Sequence, residues 1–538
     1  MKTKQQYFYN ALLLTAVTLL MRTVSVTFNV YISGKVGAEA MGLLSLVGGV
    51  YGFAVTLATS GIHLATVRTV AERLQQTGGT ENRKCLMACL SYAAFFGSVA
   101  AILLFFLARP IGLYLLKDAR TVRALTLLAL TLLPIALSTV FNGYFNAVRR
   151  AYKNAIAQVT EQAVKITLTG YLLVLVAPKT VEGSILAILL GGAVAETMTL
   201  ALNLTLYTLD RRHFKHVKQQ KHHKKINVAS VALPVAISAY MRSGLLTIEH
   251  ILIPRGLQRY GAGNSAALAA YGSLQGMALP VVLYPAAILS SFSALLIPEI
   301  TEQHAAGNKE EIRYIAGRAY QTALLFSIGT AAIMLFLSGE LGEVLYGSAE
   351  VARFIKLLAP IIPIMYIDTA TDALLKGLGE QVYSMNINII DALISVILVW
   401  ILVPMIGING YLVTIYVTEI FNAAMSICRL LKISGYRPKT ALLFFRPLAC
   451  AIGATLLSNF LLGHAVPTPV GGLTLALHIL LVTAIYLVLL VLSGTLPKAD
   501  LTWLAQSLTP EKAREKGRQG KNGNFASFWQ STCKKFRA

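Results

Sequence analysis

Charge is what this chain has least of. Only 13% of its 538 residues are Asp, Glu, Lys or Arg, where a soluble globular chain carries about a quarter. That shortage excludes a soluble domain of this length. With 56% hydrophobic residues and a mean hydropathy of +0.64, the chain reads as an integral membrane protein. Cysteine is scarce too, and the five present (Cys85, Cys89, Cys428, Cys450, Cys533) do not pair by spacing. Cys85 and Cys89 form a C-x3-C without histidine or acidic company, which argues against a metal site. The G-x-x-x-x-G-K-[ST] loop, the H-E-x-x-H pair and the nucleophile elbow are also missing, so the reading is a non-enzyme without a bound cofactor. Acidic residues number 24 against 47 basic ones, and the surplus sits in short connections and the tail. Anionic membrane lipids explain that placement better than nucleic acid, since no compact soluble surface exists to display a recognition patch.

What is present is organised around one basic stretch, DRRHFKHVKQQKHHKKINV at 210–228, with seven Lys or Arg and four His. It cannot cross a bilayer and marks a cytoplasmic connection between two apolar halves. The halves echo each other at a spacing of about 230 positions: Ser60, Glu72, Glu81 and Arg83 meet Ser290, Glu302, Glu311 and Arg313, and Glu161 meets Asp391. Met21-Arg22 meets Met241-Arg242 after a small gap. The expected domains are an N-lobe over 1–209, the basic loop, a C-lobe over 229–430, two appended helices over 441–493 and a basic cytoplasmic tail over 494–538.

Twenty-residue windows place six spans in the N-lobe, near 8–32, 43–67, 84–108, 122–146, 155–177 and 184–209. The C-lobe gives six more, near 229–253, 267–297, 314–338, 352–375, 384–404 and 408–430, and 441–463 and 471–493 complete an expected fourteen. Lys2 and Lys4 ahead of an apolar run, with VGAEA at 36–40, imitate a signal peptide, but Arg22 interrupts the run and an uncleaved first helix is the reading. Lys and Arg are in excess on the connections that are internal when the N-terminus is inside, which puts both termini in the cytoplasm. In the tail, LTWLAQSL at 501–508 suits a surface-lying segment, and Phe525, Phe528, Trp529 and Phe536 among basic residues suit loose contact with anionic lipid; disorder is the plain alternative.

Ionisable side chains within spans cost several kcal/mol against lipid and usually line a bundle interior or a wet cavity. Arg22, some fifteen residues into the first helix, is the leading candidate for an anionic substrate, with a structural ion pair as the other reading. Arg242 and Glu249 lie seven apart on one face of the helix that opens the C-lobe, where they can share a cavity with Arg22. Arg255 and Arg259 stand further along it, at positions that also suit interface anchors, and His250 neighbours Glu249. Arg68 precedes Glu72 by four and can simply pair with it. Asp368 and Asp372 share a face and, with Asp391, form the candidate ion-coupling set. With no ATP motif, energy for transport would come from Na+ or H+, the membrane potential or downhill flow of substrate.

The stretch containing Arg22, YISGKVGAEAMGLLSLVGGVYGF and LATSGIHLATVRTVAERL resembles the stage V sporulation protein B group of the multidrug/oligosaccharidyl-lipid/polysaccharide exporter superfamily, to which the lipid II flippases also belong. The resemblance implies two six-helix lobes plus two helices, moving an undecaprenyl-pyrophosphate-linked saccharide across the cytoplasmic membrane by alternating access. It further implies cell-wall or spore-cortex synthesis proteins as partners. In the lipid II flippases, arginines near the cavity in the first helices of the lobes meet the pyrophosphate; Arg22 matches the first of these, and Arg242 and Arg255 match a second more loosely. The eighth span lacks an arginine found in some lipid II flippases, so the exact substrate stays open. The alternative is an ion-coupled multidrug exporter of the same superfamily, and a membrane scaffold is a third class. A pyrophosphate cavity should hold more positive than negative side chains, with Arg22 and Arg242 converging, whereas a cation exporter should present Glu249, Asp368 or Asp391 centrally.

Overall fold

The computed structural model describes residues 2–59, 61–77, 82–150, 152–176, 180–211, 228–436, 440–462 and 471–495. Segment 212–227 of the basic loop and the tail from 496 onward, including 501–508, lie outside the described residues. Within the described residues the chain is all helix, and nine helices are long and apolar enough to cross a membrane. They become ten if the pair Arg120–Ala129 and Leu132–Ala147, bent by 41°, counts as one span. The protein is therefore a multi-pass all-α membrane protein.

Before the basic segment come α1 (Lys2–Thr59), α2 (Ile62–Thr77), α3 (Asn82–Pro110), α4 (Arg120–Ala129), α5 (Leu132–Ala147), α6 (Tyr152–Val176) and α7 (Val181–Arg211). After it come α8 (Val228–Tyr260), α9 (Asn264–Tyr271), α10 (Leu279–Leu283), α11 (Ala286–Ala305), α12 (Lys309–Phe336), α13 (Ser338–Tyr346), α14 (Ala349–Leu358), α15 (Ile362–Gly377), α16 (Gln381–Ile406) and α17 (Ile408–Ser434). α18 (Thr440–Leu462) and α19 (Gly472–Leu492) follow. Helix starts recur: α4 and α14 begin 229 residues apart, α5 and α15 230, α6 and α16 229. By contacts the chain divides into two compact units, Met1–Pro438 with Val466–Leu477, and Lys439–Ala465 with His478–Ala538.

Local chemistry explains the boundaries. Asn308 caps α12 by accepting from the Glu311 N–H, and Glu310 and Glu311 place negative charge in its first turn. Ser348 caps α14, which buries Val351, Phe354, Ile355 and Leu358 on one stripe and leaves Glu350, Arg353 and Lys356 off it. Pro360 and Pro363 separate α14 from α15 by a short 3-10 turn. The first expected span and most of the second form one helical run, α1, whose one non-helical residue is Gly37 (φ 80°, ψ 174°), a conformation that needs glycine. The expected eighth span is likewise cut into pieces, with a π-helical stretch at Gly272–Ala278 and a break at Tyr284 and Pro285.

The helices before and after the basic segment meet along α1. A Cβ on Gly42 would fall 1.9 Å from the Leu268 carbonyl oxygen, and one on Gly272 2.0 Å from that of Ala38, so backbone touches backbone. Farther along, Thr247 Oγ1 donates to the Gly49 carbonyl at 2.9 Å and Thr56 Oγ1 to Ser243 Oγ at 3.1 Å. A Cβ on Gly61 would stand 2.6 Å from the Ala232 oxygen. The order of these pairs makes the second part of α1 antiparallel to α8. The first part of α1 meets the later helices too, through Thr23 Oγ1 and Tyr284 Oη at 2.8 Å.

At the far end of α7, the side chain of Asp210 is fully buried. Lys153 Nζ binds its carboxylate at 2.6 Å, Arg150 binds the same oxygen, and Tyr144 Oη donates at 3.3 Å. Lys153 also donates to the Leu206 carbonyl at 3.1 Å and lies over the Phe145 ring, so one carboxylate ties α5, α6 and α7 together where the basic segment begins.

Candidate functional site

A cavity of about 630 Å³ lies among α8, α10, α11, α15, α16 and α17. Arg242, Glu249 and His250 of α8 line it with Asp368, Asp372 and Lys376 of α15, Asn388, Asp391 and Ser395 of α16, and Tyr411, Thr418, Glu419 and Asn422 of α17. Helical spacing produces the convergence. Asp368 and Asp372 are four apart on α15, Asn388, Asp391 and Ser395 follow a three-four step on α16, and Glu419 and Asn422 are three apart on α17, so each helix turns one polar stripe inward.

The carboxylates are not equivalent. Asp372 is already engaged, by Lys376 Nζ at 2.6 Å and by the Ser384 hydroxyl. Oδ1 of Asp368 and Oδ1 of Asp391 are buried and accept no hydrogen bond. Glu249 is 7% exposed, with the Ser395 hydroxyl beside it. Tyr411 Oη donates to Gln275 Oε1 at 3.0 Å, and the amides of Asn388 and Asn422 meet at 3.4 Å. Among the described residues no three His, Cys, Asp or Glu groups cluster tightly enough to hold a metal ion by themselves. A cation here would rely on carboxylates supplemented by amide and hydroxyl oxygens, the ligand set hard monovalent ions accept.

Six of the residues named in the sequence reading come together in this cavity: Arg242, Glu249, His250, Asp368, Asp372 and Asp391. Arg22, Arg68 and Arg255 do not line it. Arg22 is exposed on α1, next to the Thr23–Tyr284 contact. Arg68 binds Glu72 at 2.9 Å with both side chains more than half exposed, a pair worth about 0.2–1 kcal/mol. Arg255 donates from Nη2 to the Tyr114 carbonyl at 2.7 Å, bridging α8 to the chain after α3. The cavity holds Glu249, Asp368, Asp372, Asp391 and Glu419 against Arg242 and Lys376, an acidic balance rather than the basic one expected of a pyrophosphate cavity. The amides Gln275, Asn388 and Asn422 were missed as site residues; the signal for Asn388 and Asn422 was their three-residue spacing to Asp391 and Glu419, and Gln275 carried none.

The seam near Gly37 ends in a polar latch. Arg120 Nη1 binds Glu39 at 2.7 Å and Nη2 binds Asp118 at 2.7 Å, while Asn264 donates to Asp118 at 3.3 Å and Ser265 to Glu39 at 3.2 Å. Lys117 takes a left-handed conformation (φ 55°) to turn the chain into it. Burial works to push the Asp118 carboxyl up, but the hydrogen bonds from the Arg120 side chain and backbone, the Arg120 charge and the Asn264 amide outweigh it and hold the group below its ordinary value. A depressed carboxylate stabilises the folded state above the ordinary pKa of about 4 and loses that contribution as pH falls through the lowered value. The latch should therefore be intact at neutral pH and released only in acid. Asp118→Asn should lower the unfolding temperature at pH 7 and flatten its acid dependence, read by thermal scans in detergent from pH 7 to 3; equal acid sensitivity in both forms would rule the latch out as the cause.

The family profile described as "Polysaccharide biosynthesis protein" matches residues 8–304. The chain belongs to this family. A second profile, MatE, matches residues 258–401, across most of the cavity-lining helices. The family member is 26% identical to stage V sporulation protein B of Bacillus subtilis (strain 168) over 93% of its own length and 97% of that protein. It is 22% identical to the lipid II flippase MurJ of the same organism over 79% of this chain and 82% of the other. Among solved structures, a lipid II flippase MurJ in an inward closed conformation shares the fold with a TM-score of 0.67 at 14% identity, covering 90% of this chain and 99% of that one. These likenesses put the chain in the multidrug/oligosaccharidyl-lipid/polysaccharide superfamily, as its opening stretch suggested.

Proposed function

We propose that this protein is a flippase carrying an undecaprenyl-pyrophosphate-linked saccharide, a precursor of peptidoglycan or another wall polysaccharide, across the bacterial cytoplasmic membrane. The observation that carries the reading is the sequence similarity to the lipid II flippase MurJ along most of both chains. Two lobes of six spans each, built from α1–α7 and α8–α17, work by alternating access, with α18 and α19 appended, fourteen spans in all and both termini cytoplasmic. The recurrence of helix starts at 229 to 230 positions supports the lobes. The end of the seam near Gly37, with its latch, then faces outward.

In this reading the charges divide the work. Arg22, exposed on α1, meets the pyrophosphate, and a planar guanidinium matches phosphate oxygens bidentately. The acidic cavity takes Na+ or H+, with Asp368 and Asp391 contributing the oxygens that accept no hydrogen bond and Arg242 keeping the site from holding its cation too tightly. Asp372, held by Lys376, plays a supporting part. Anionic lipids meet the basic loop and tail, and enzymes of wall or spore-cortex synthesis are the partners.

The acidic cavity and the MatE match also favour a second reading, an ion-coupled exporter of cationic drugs. Proteoliposomes decide between them. A fluorescent polyprenyl-pyrophosphate saccharide should cross only with the wild-type protein; Arg22→Ala should slow it about tenfold or more, the loss of a charge-assisted bond worth 1.5–3 kcal/mol, and Arg22→Lys should restore part of the rate. Asp368→Asn with Asp391→Asn should remove the response to a Na+ or proton gradient. Ethidium transport that depends on Glu249, with lipid flipping absent, would establish the exporter instead.

A further inference from the structure

His250 stands in two places at once. It lines the acidic cavity, and its ring and Cβ lie on α1, where a Cβ added to Gly49 would come within 2.9 Å of His250 Cβ and 3.0 Å of Cδ2. Its orientation is fixed: Nδ1 is 2.8 Å from the hydroxyl of Tyr271, which is fully buried. Tyr271 in turn precedes Gly272, whose backbone presses on Ala38 and Gly42 of α1. One turn before His250, Thr247 holds the Gly49 carbonyl.

Neighbouring helical residues point about 100° apart. Glu249 lines the cavity while the next residue presents its ring to Gly49, so α8 cannot rotate or slide as the cavity fills without moving the imidazole along α1. The Tyr271 bond prevents the ring from absorbing that motion by changing rotamer. We infer that His250 is a positioning residue of the transport cycle, passing occupancy of the cavity to the seam between the lobes. The inference rests on the cation reading of the cavity given above. It assigns His250 no part in holding the cation.

The experiment uses the full chain in nanodiscs, with native cysteines replaced and spin labels at the exposed positions Lys35 and Arg259. Na+ is the probe and choline the control. The distance distribution of the parent protein should shift on adding Na+. His250→Leu should bind 22Na+ with an affinity within threefold of the parent, yet lose the shift and at least nine-tenths of the flipping rate. His250→Asn, which keeps a polar atom near the place of Nδ1, should recover part of both. Tyr271→Phe should weaken the shift, and Gly49→Ala, crowding the ring from the opposite side, should abolish it with Na+ binding retained. A normal shift in His250→Leu would overturn the inference. So would a fall in Na+ affinity that tracks the loss of the shift, since His250 would then belong to the cation site itself. A parent protein that neither binds Na+ nor shifts would sink the Na+ form of the cation reading and this inference together, whereas failure in the variants alone leaves that reading standing.

Discussion

Gly42→Ala should stop transport and lower the unfolding temperature by many degrees, and Gly272→Ala should do the same. The added methyl of the first would sit 1.9 Å from the Leu268 carbonyl oxygen and that of the second 2.0 Å from the Ala38 oxygen, both backbone atoms that cannot swing aside. The only relief is to part α1 from α9 and the π-helical stretch after it. Overpacking usually costs 1–3 kcal/mol when side chains can adjust, and a clash with backbone on both sides should exceed that range. Gly48, with nothing within 4 Å of its would-be Cβ, is the matched control. Thermal unfolding in detergent and flipping in vesicles check the pair. Wild-type behaviour of Gly42→Ala would mean that the seam opens more readily than its geometry indicates.

Asp210→Ala should destabilise the first half of the molecule by about 3 kcal/mol or more, the usual cost of stripping one partner from a buried ion pair. The substitution leaves Lys153, whose side chain is 8% exposed, facing apolar neighbours without its carboxylate and takes away an acceptor of Tyr144. Replacing Asp210, Lys153 and Arg150 together by apolar residues should recover much of the loss, because no uncompensated charge remains. Protease resistance and thermal unfolding give the readout. If the single variant unfolds like the parent protein, the clamp is ornamental.

Membrane character was legible because it depends on a local signal, hydropathy, whereas the division around 210–228 and the charged candidates were named from clustered Lys and Arg and from rare ionisable residues in apolar runs. The meeting of Arg242, Glu249, Asp368 and Asp391 was legible only as far as helical faces go. Spacing says that Asp368 and Asp372 share a side of α15, but whether Lys376 or a ligand takes Asp372 depends on rotamers and on α16 arriving beside it. Arg255 shows the opposite limit. Its position suited an interface anchor or a ligand contact, and its bond is to the Tyr114 carbonyl, a backbone atom 141 residues away that leaves no mark in composition. The balance of the cavity was beyond reach for the same reason, since Glu419 and the amides matter only once three helices converge.

Gly37 joins the part of α1 carrying Arg22 to the part that forms the seam, and it does so alone, as the one non-helical residue in a run of 58. A joint of a single residue has two soft torsions and no slack. Those torsions are where the Arg22 arm can change its angle while Gly42, a turn and a half later, stays locked against the Leu268 backbone. The arm that carries the proposed headgroup contact can thus tilt through one pair of dihedral angles without parting the backbone contact at Gly42.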